Sequence, residues 1–250
     1  MKNVLPMSTL ISTSDGVPIS VTTYREGKRP HVIVAPGFFQ NSQSRLHTKL
    51  CQVLSAHFNV SIFDFRGHGR SGGKFSFLQL EEKDLTAVIA YIKAMAEGKP
   101  IGLLGFSMGA AVAFNYCCKN NDIHSVVLVS IPASAQSLTL KWWRPEFWRI
   151  AVRTLVNQGS CRMSFSSIFQ PKNEPMANIG QFSNVPVCFL HGDHDVLVTE
   201  KSSQFLYGHI THDTKCLHLI ENGTHGEFLF EKSPEKIGKI LNEWFDQTLS

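Results

Sequence analysis

Long hydrophobic runs are missing from this chain. No stretch approaches the roughly 18–20 consecutive apolar residues that a membrane-spanning helix needs. Residues 1–13 carry one Lys, and Pro6, Ser8 and Thr9 break their apolar character, so they make a poor secretory signal. Cysteine is scarce and unpatterned. The six thiols, at positions 51, 117, 118, 161, 188 and 216, include no CxxC and no framework spacing. That excludes a disulfide scaffold and a zinc knuckle, and points to reduced cysteines in the cytoplasm. No H-E-x-x-H or comparable ligand spacing occurs, so neither a metal nor another cofactor is expected. Charge is close to balanced: 24 basic residues against 20 acidic ones leave a net charge of +4. With no nucleic-acid motif beside it, that excess does not suggest a nucleic-acid partner.

What is present is a chain that can bury a core. Hydrophobic residues make up 43% of it and charged residues 18%, which excludes disordered, collagen-like and coiled-coil classes. Its 250 residues fit a single domain of α/β type. Two short alternating runs, residues 9–13 and 19–24, flank Asp15-Gly16 and predict a β-hairpin. Compact apolar runs then alternate with helical patterns. Strands are predicted at 31–35, 59–63, 101–105, 126–130, 185–191 and 216–220, and helices at 42–58, 78–97, 108–119, 199–206 and 234–249. Repeated β–α units predict a mostly parallel central sheet with helices on both faces. Ligands of such sheets bind beyond the carboxyl ends of the strands, so the loops there should hold the chemistry.

Three of those loops carry a serine, an acid and a base. Gly105-Phe106-Ser107-Met108-Gly109 is a G-x-S-x-G pentapeptide between a predicted strand and a predicted helix. The pattern suits a tight turn that projects a Ser hydroxyl, while the following helix offers backbone N–H groups to an oxyanion. A Ser hydroxyl needs a base, and the base needs an orienting acid. His191-Gly192-Asp193-His194-Asp195 follows one later strand, and Gly223-Thr224-His225 follows the next. The chain order Ser107, Asp195, His225 predicts nucleophile, acid and base. Asp193 is the competing acid, with loop capping its expected use. The second oxyanion donor is expected from the loop Pro36-Gly37-Phe38-Phe39, with the N–H of Phe38 acting beside that of Met108.

These motifs resemble the α/β-hydrolase superfamily, in the branch of monoacylglycerol-lipase-like, cinnamoyl-esterase-like and serine-aminopeptidase-like proteins. The carrying stretches are G-F-S-M-G, D-F-R-G-H-G-R-S at 64–71, H-G-D-H-D-V-L-V at 191–198 and G-T-H at 223–225. Two departures stand out. Pro36-Gly37 replaces the His-Gly usual in the oxyanion loop, and Ala110 follows Gly109 where many relatives have a second Gly. In the 64–71 loop, Asp64 and Arg66 are expected to tie loops together, with Gly67 and Gly69 at positive φ.

The rhythm breaks between 132 and 184, where the resemblance implies a cap inserted into the single domain that spans 1–250. The insert holds three of the four Trp residues, Trp142, Trp143 and Trp148, and six basic residues against two acidic ones. Phe39 and these three Trp residues are expected near the substrate. Pro145 suits a first helical position, which would pair Trp143 with Trp148 in a hydrophobic staple that anchors the cap. Aromatic bulk beside basic residues also suits an anionic membrane surface, though no such partner is required. The expected activity is hydrolysis of carboxylic esters of small or medium acyl or aryl groups, with a small-molecule ester as the partner. Thioesterase, amidase or acyltransferase chemistry on the same three residues, or a slow-turnover receptor, are the alternatives.

Overall fold

The computed structural model describes residues 5–139, 143–145, 148, 152, 161–164, 166–167 and 170–250. The predicted hairpin forms between β1 (Met7–Ser12) and β2 (Pro18–Tyr24), which pair antiparallel across the Asp15-Gly16 turn. Then come β3 (His31–Ala35), α1 (Arg45–Leu54), β4 (Asn59–Phe63), α2 (Glu81–Ala96), β5 (Ile101–Phe106), α3 (Met108–Lys119) and β6 (Ser125–Val129). Between β6 and β7 the described residues include the one-turn helix α4 (Pro175–Asn178), and β7 (Val187–Gly192), α5 (Lys201–His209) and β8 (Lys215–Ile220) follow. The chain closes with α6 (Phe228–Lys232) and α7 (Pro234–Thr248). One eight-stranded sheet results, in the order β1-β2-β4-β3-β5-β6-β7-β8. β2 meets β4 antiparallel, and every pairing from β4 to β8 is parallel. This is the α/β-hydrolase fold that the motifs implied.

Alternation along the central strands splits the core in two. Ile33, Leu103, Val126 and Leu128 face one side with α2, α3 and α5, whereas Val32, Val34, Leu104, Val127 and Val129 face α1 and α7. Central strands buried on both faces read as continuous apolar runs, which is why HVIVA and SVVLV look alike in sequence.

The differences from expectation are local. α1 is shorter than the predicted 42–58, because the Ser44 side chain caps it by accepting from His47 N at 3.2 Å and Ser42 N is drawn to Asp64 Oδ1 at 2.6 Å. α4 and α6, of four and five residues, are too short to show a helical period. The 64–71 loop serves the expected tying role. Asp64 accepts from Ser42 N and Arg70 N, and Arg66 bonds both Asp84 and Asp15. Gly67 and Gly69 have φ of 76° and 48°. All six cysteines are free. Among the described residues, no helix is long and apolar enough to cross a membrane.

Candidate active site

Ser107 stands between β5 and α3 at φ 49°, ψ −113°, a strained conformation for a residue with a side chain. Its surroundings hold it there. Ser107 N donates to Val129 O at 2.8 Å, which ties the turn to the neighbouring strand. The two flanking glycines leave no alternative. A Cβ on Gly109 would stand 2.1 Å from Ala35 O, and one on Gly105 would stand 2.6 Å from Ala110 Cα. The turn thus packs against the end of β3, and the Ser hydroxyl projects from the top of the sheet.

The loops after β7 and β8 bring the other two residues to it. His225 Nε2 lies 2.9 Å from Ser107 Oγ, and His225 Nδ1 lies 2.7 Å from Asp195 Oδ2. With the Nδ1 proton donated to Asp195, Nε2 is left to accept from the Ser hydroxyl. Asp195 is buried, and its second oxygen, Oδ1, accepts from Leu197 N at 2.9 Å and Val198 N at 3.0 Å. The loop-capping role considered for Asp193 therefore belongs to Asp195, whereas Asp193 is exposed. Burial opposes ionisation of Asp195, but the His225 and His191 imidazoles outweigh it and hold the carboxyl well below its usual range. For His225, burial works against the charged form, and the Asp195 carboxylate reverses that and raises its pKa.

His191 escaped the sequence reading. Fully buried, its Nε2 lies 3.2 Å from Val198 O and 3.3 Å from Asp195 Oδ2, and its Nδ1 lies 2.7 Å from Ser203 Oγ. Nε2 faces two acceptors, so it carries the proton; its hydrogen bond goes to Val198 O, with the acid oxygen close beside it. Ser130, also buried, accepts from Gly226 N at 2.9 Å and so fixes the turn after His225.

The backbone N–H groups of Phe38 and Met108 donate to no other described residue, and both residues line the cavity above Ser107. That cavity has a volume of about 520 Å³ and reaches Ser107 and His225. Phe39, Phe75, Phe77 and Phe228 supply much of its wall. From the insert come Pro132, Ser134, Ala135, Leu138, Lys172 and Glu174. Two of its polar residues, Gln40 and Glu227, had no signal in the sequence beyond standing beside Phe39 and His225.

Two of the insert's tryptophans lie away from the cavity lining. Trp143 and Trp148 are not among the residues lining the cavity, and they leave 65% and 57% of their surface exposed. Trp142 lies outside the described residues. Elsewhere, Cys188, Cys216 and His218 bring three donor atoms within 4.8 Å of one another on β7 and β8, a grouping that no linear spacing reveals.

Residues 26–176 match the family described as serine aminopeptidase, S33, and the chain belongs to that family of α/β-hydrolases. The matched range includes Ser107 and stops short of Asp195 and His225. A curated relative, the uncharacterized protein YqkD of Bacillus subtilis, is 27% identical over 200 residues, 77% of this chain. The match spans 64% of that relative's length. Solved structures resemble the whole chain at lower identity. An esterase of Pyrococcus furiosus superposes with a TM-score of 0.80 at 23% identity, covering 99% of this chain and 92% of that one. The monoglyceride lipase of Saccharomyces cerevisiae, in complex with a substrate analogue, gives 0.78 at 17%, covering 100% and 97%. Est1E of Butyrivibrio proteoclasticus, with bound ferulic acid, gives 0.73 at 19%, covering 96% and 98%. These likenesses concern the fold.

Proposed function

We propose that this protein is a serine esterase that cleaves carboxylic esters of small or medium acyl or aryl groups through an acyl-enzyme. One observation carries the reading: Ser107 Oγ, His225 and Asp195 are joined by contacts of 2.9 and 2.7 Å at the floor of a largely apolar cavity. Ser107 Oγ attacks the ester carbonyl while its proton passes to His225 Nε2. The buried Asp195 carboxylate holds the imidazole in the required tautomer and stabilises the imidazolium. The oxyanion that forms is met by the N–H groups of Phe38 and Met108, which donate to no other described residue and stand in the cavity lining. Collapse expels the alcohol, which takes the proton from His225. Water then attacks the acyl-enzyme by the same route, restores Ser107 and releases the acid.

A cavity of about 520 Å³ lies in the range that holds small organic ligands, and its phenylalanines favour an acyl or aryl group. An esterase, a monoglyceride lipase and a protein with bound ferulic acid among the structural neighbours favour esters within the hydrolase class. A fluorophosphonate should label the protein and fail to label Ser107→Ala. Activity should appear on a panel of p-nitrophenyl esters of varied acyl length, run beside aryl esters and acyl-CoA. A wild-type protein that takes no label and cleaves no ester would end the proposal, and a preference for acyl-CoA would redirect it to thioesters.

A further inference from the structure

β7 and β8 lie side by side at one edge of the sheet, and together they gather three metal-ligating side chains. Cys188 is the direct partner of Cys216 in the parallel register, and Leu190 is that of His218. Side chains two apart on a strand share a face, so Cys188, Cys216 and His218 project to the same side of the sheet. That side is the one covered by α1 and α7, where Cys188 and Cys216 join the core. Sγ of each cysteine and one ring nitrogen of the histidine lie within 4.8 Å of one another. The expectation that no metal binds rested on linear spacing, and strand pairing is what linear spacing cannot show.

Burial is graded across the group. Cys188 is buried, Cys216 half-buried and His218 exposed. Because β8 is an edge strand, an ion can enter past His218 without opening the core. The His218 ring makes no hydrogen bond or ion pair with another described residue, so its nitrogen is available to a ligand. The nearest cation in sequence, Lys215, is turned to the opposite face. Its Nζ donates to Tyr207 O at 3.0 Å and stands 4.6 Å from the centre of the Tyr207 ring, so it does not compete for the place.

The donor set selects the ion. Thiolate sulfur and imidazole nitrogen are ligands of zinc, whereas calcium and magnesium take oxygen. Zinc bonds of about 2.3 Å to sulfur and about 2.0 Å to nitrogen place tetrahedral ligand atoms roughly 3.5–3.8 Å apart. Three donors within 4.8 Å of one another close to that spacing by small side-chain rotations. Each thiol releases its proton to solvent on binding. Two thiolates and a neutral imidazole then balance the divalent charge, so no net charge is left in a half-buried place. A water completes the tetrahedron on the exposed side.

We propose that Cys188, Cys216 and His218 form a zinc-binding site that staples β7 to β8. None of the three lines the cavity above Ser107, so the ion takes no part in the proposed ester chemistry, and the inference stands apart from it. Its place in the fold gives it a use. β7 leads into the loop of Asp195 and β8 into the loop of His225, so the staple braces the two strands that present the acid and the base.

The test titrates the reduced, chelator-treated full chain with Co²⁺ and then with Zn²⁺. Co²⁺ should give a thiolate-to-cobalt charge-transfer band with the visible bands of a tetrahedral site, and Zn²⁺ should abolish them by displacement. Zinc at about a hundredfold over its Kd should raise the thermal midpoint by about 5 °C or more. Cys216→Ala and His218→Ala should each weaken zinc binding by at least about tenfold and lose that rise. Cys161→Ser, at the other half-buried thiol, should bind as wild type does. His218 is exposed, so His218→Ala should fold and decides the matter even if Cys216→Ala does not fold. Absence of the charge-transfer band in wild type, a midpoint that zinc leaves unchanged, or undiminished zinc binding in His218→Ala overturns the site.

Discussion

His191 Nε2 lies 3.3 Å from Oδ2 of Asp195, the same oxygen that lies 2.7 Å from the His225 imidazole. One carboxylate oxygen is therefore shared between two rings, one fully buried and one turned to Ser107. The buried ring cannot rotate away, because Ser203 Oγ holds its other nitrogen at 2.7 Å. Replacing His191 by Leu stays close to the imidazole's volume and removes the donor. The ring helps to hold the Asp195 carboxyl charged, so kcat/KM for a p-nitrophenyl ester should fall by about tenfold. Loss of thermal stability alone, at unchanged kcat/KM in the folded fraction, would restrict His191 to a structural part.

The choice between two carboxylates gives a sharper expectation. Asp195→Asn should cost about 10⁴ in kcat, by analogy with the serine-protease acid, and Ser107→Ala about 10⁶. Asp193→Asn should stay close to wild type, because Asp193 is exposed and its side chain makes no hydrogen bond among the described residues. Kinetics of the three proteins on one ester settle the matter. A larger loss for Asp193→Asn than for Asp195→Asn would reverse the assignment.

Legibility followed the range of the physics involved. β3 and β6 were readable because a strand buried on both faces must be apolar throughout, and α2 because its apolar residues recur with helical period. Ser107, Asp195 and His225 were readable because each follows a strand, and the parallel sheet brings those strand ends to one edge. Glu227 and Gln40 were not. A Glu two residues past a His gives no sign of whether it points to water or into a cavity, and its burial depends on Gly37 and Ser107, far away in sequence. The exposure of two tryptophans was not legible either. Apolar content signals burial on average, yet Trp143 and Trp148 are mostly exposed, and no periodicity could distinguish the two outcomes.

The proposed base sets the expected pH dependence. His225 works as a base only when neutral, so activity falls as the pH drops through its pKa. Burial alone would lower that value from the ordinary 6.5, and the Asp195 carboxylate, with the Glu227 charge adding to it, reverses the direction and raises it. The acid limb of kcat/KM should therefore lie above the ordinary 6.5. Glu227, whose carboxyl burial pushes up to about 7, is only partly charged there, so Glu227→Gln should move the limb to lower pH by a small amount. A pH–rate series on the two proteins measures this, and a limb that moves to higher pH in the variant contradicts the electrostatic account.

The strained turn at Ser107 yields a prediction about stability in which two glycines should respond in opposite directions. A methyl on Gly109 would stand 2.1 Å from Ala35 O and 2.5 Å from Pro36 O, both backbone atoms that no rotamer can move. Gly109→Ala must therefore separate α3 from the end of β3, displacing Ser107 from His225 as it does so. We expect a loss of several degrees or more in the thermal midpoint, together with loss of fluorophosphonate labelling. Gly208 lies within α5, and a Cβ there would meet nothing within 4 Å. Gly208→Ala should gain about 0.5–1 kcal/mol from helix propensity alone, raising the midpoint by a few degrees and leaving labelling intact. Thermal scans of both variants check the pair. Stability retained in Gly109→Ala would mean that the β3 end yields to the turn, and that the elbow is not held by the packing described above.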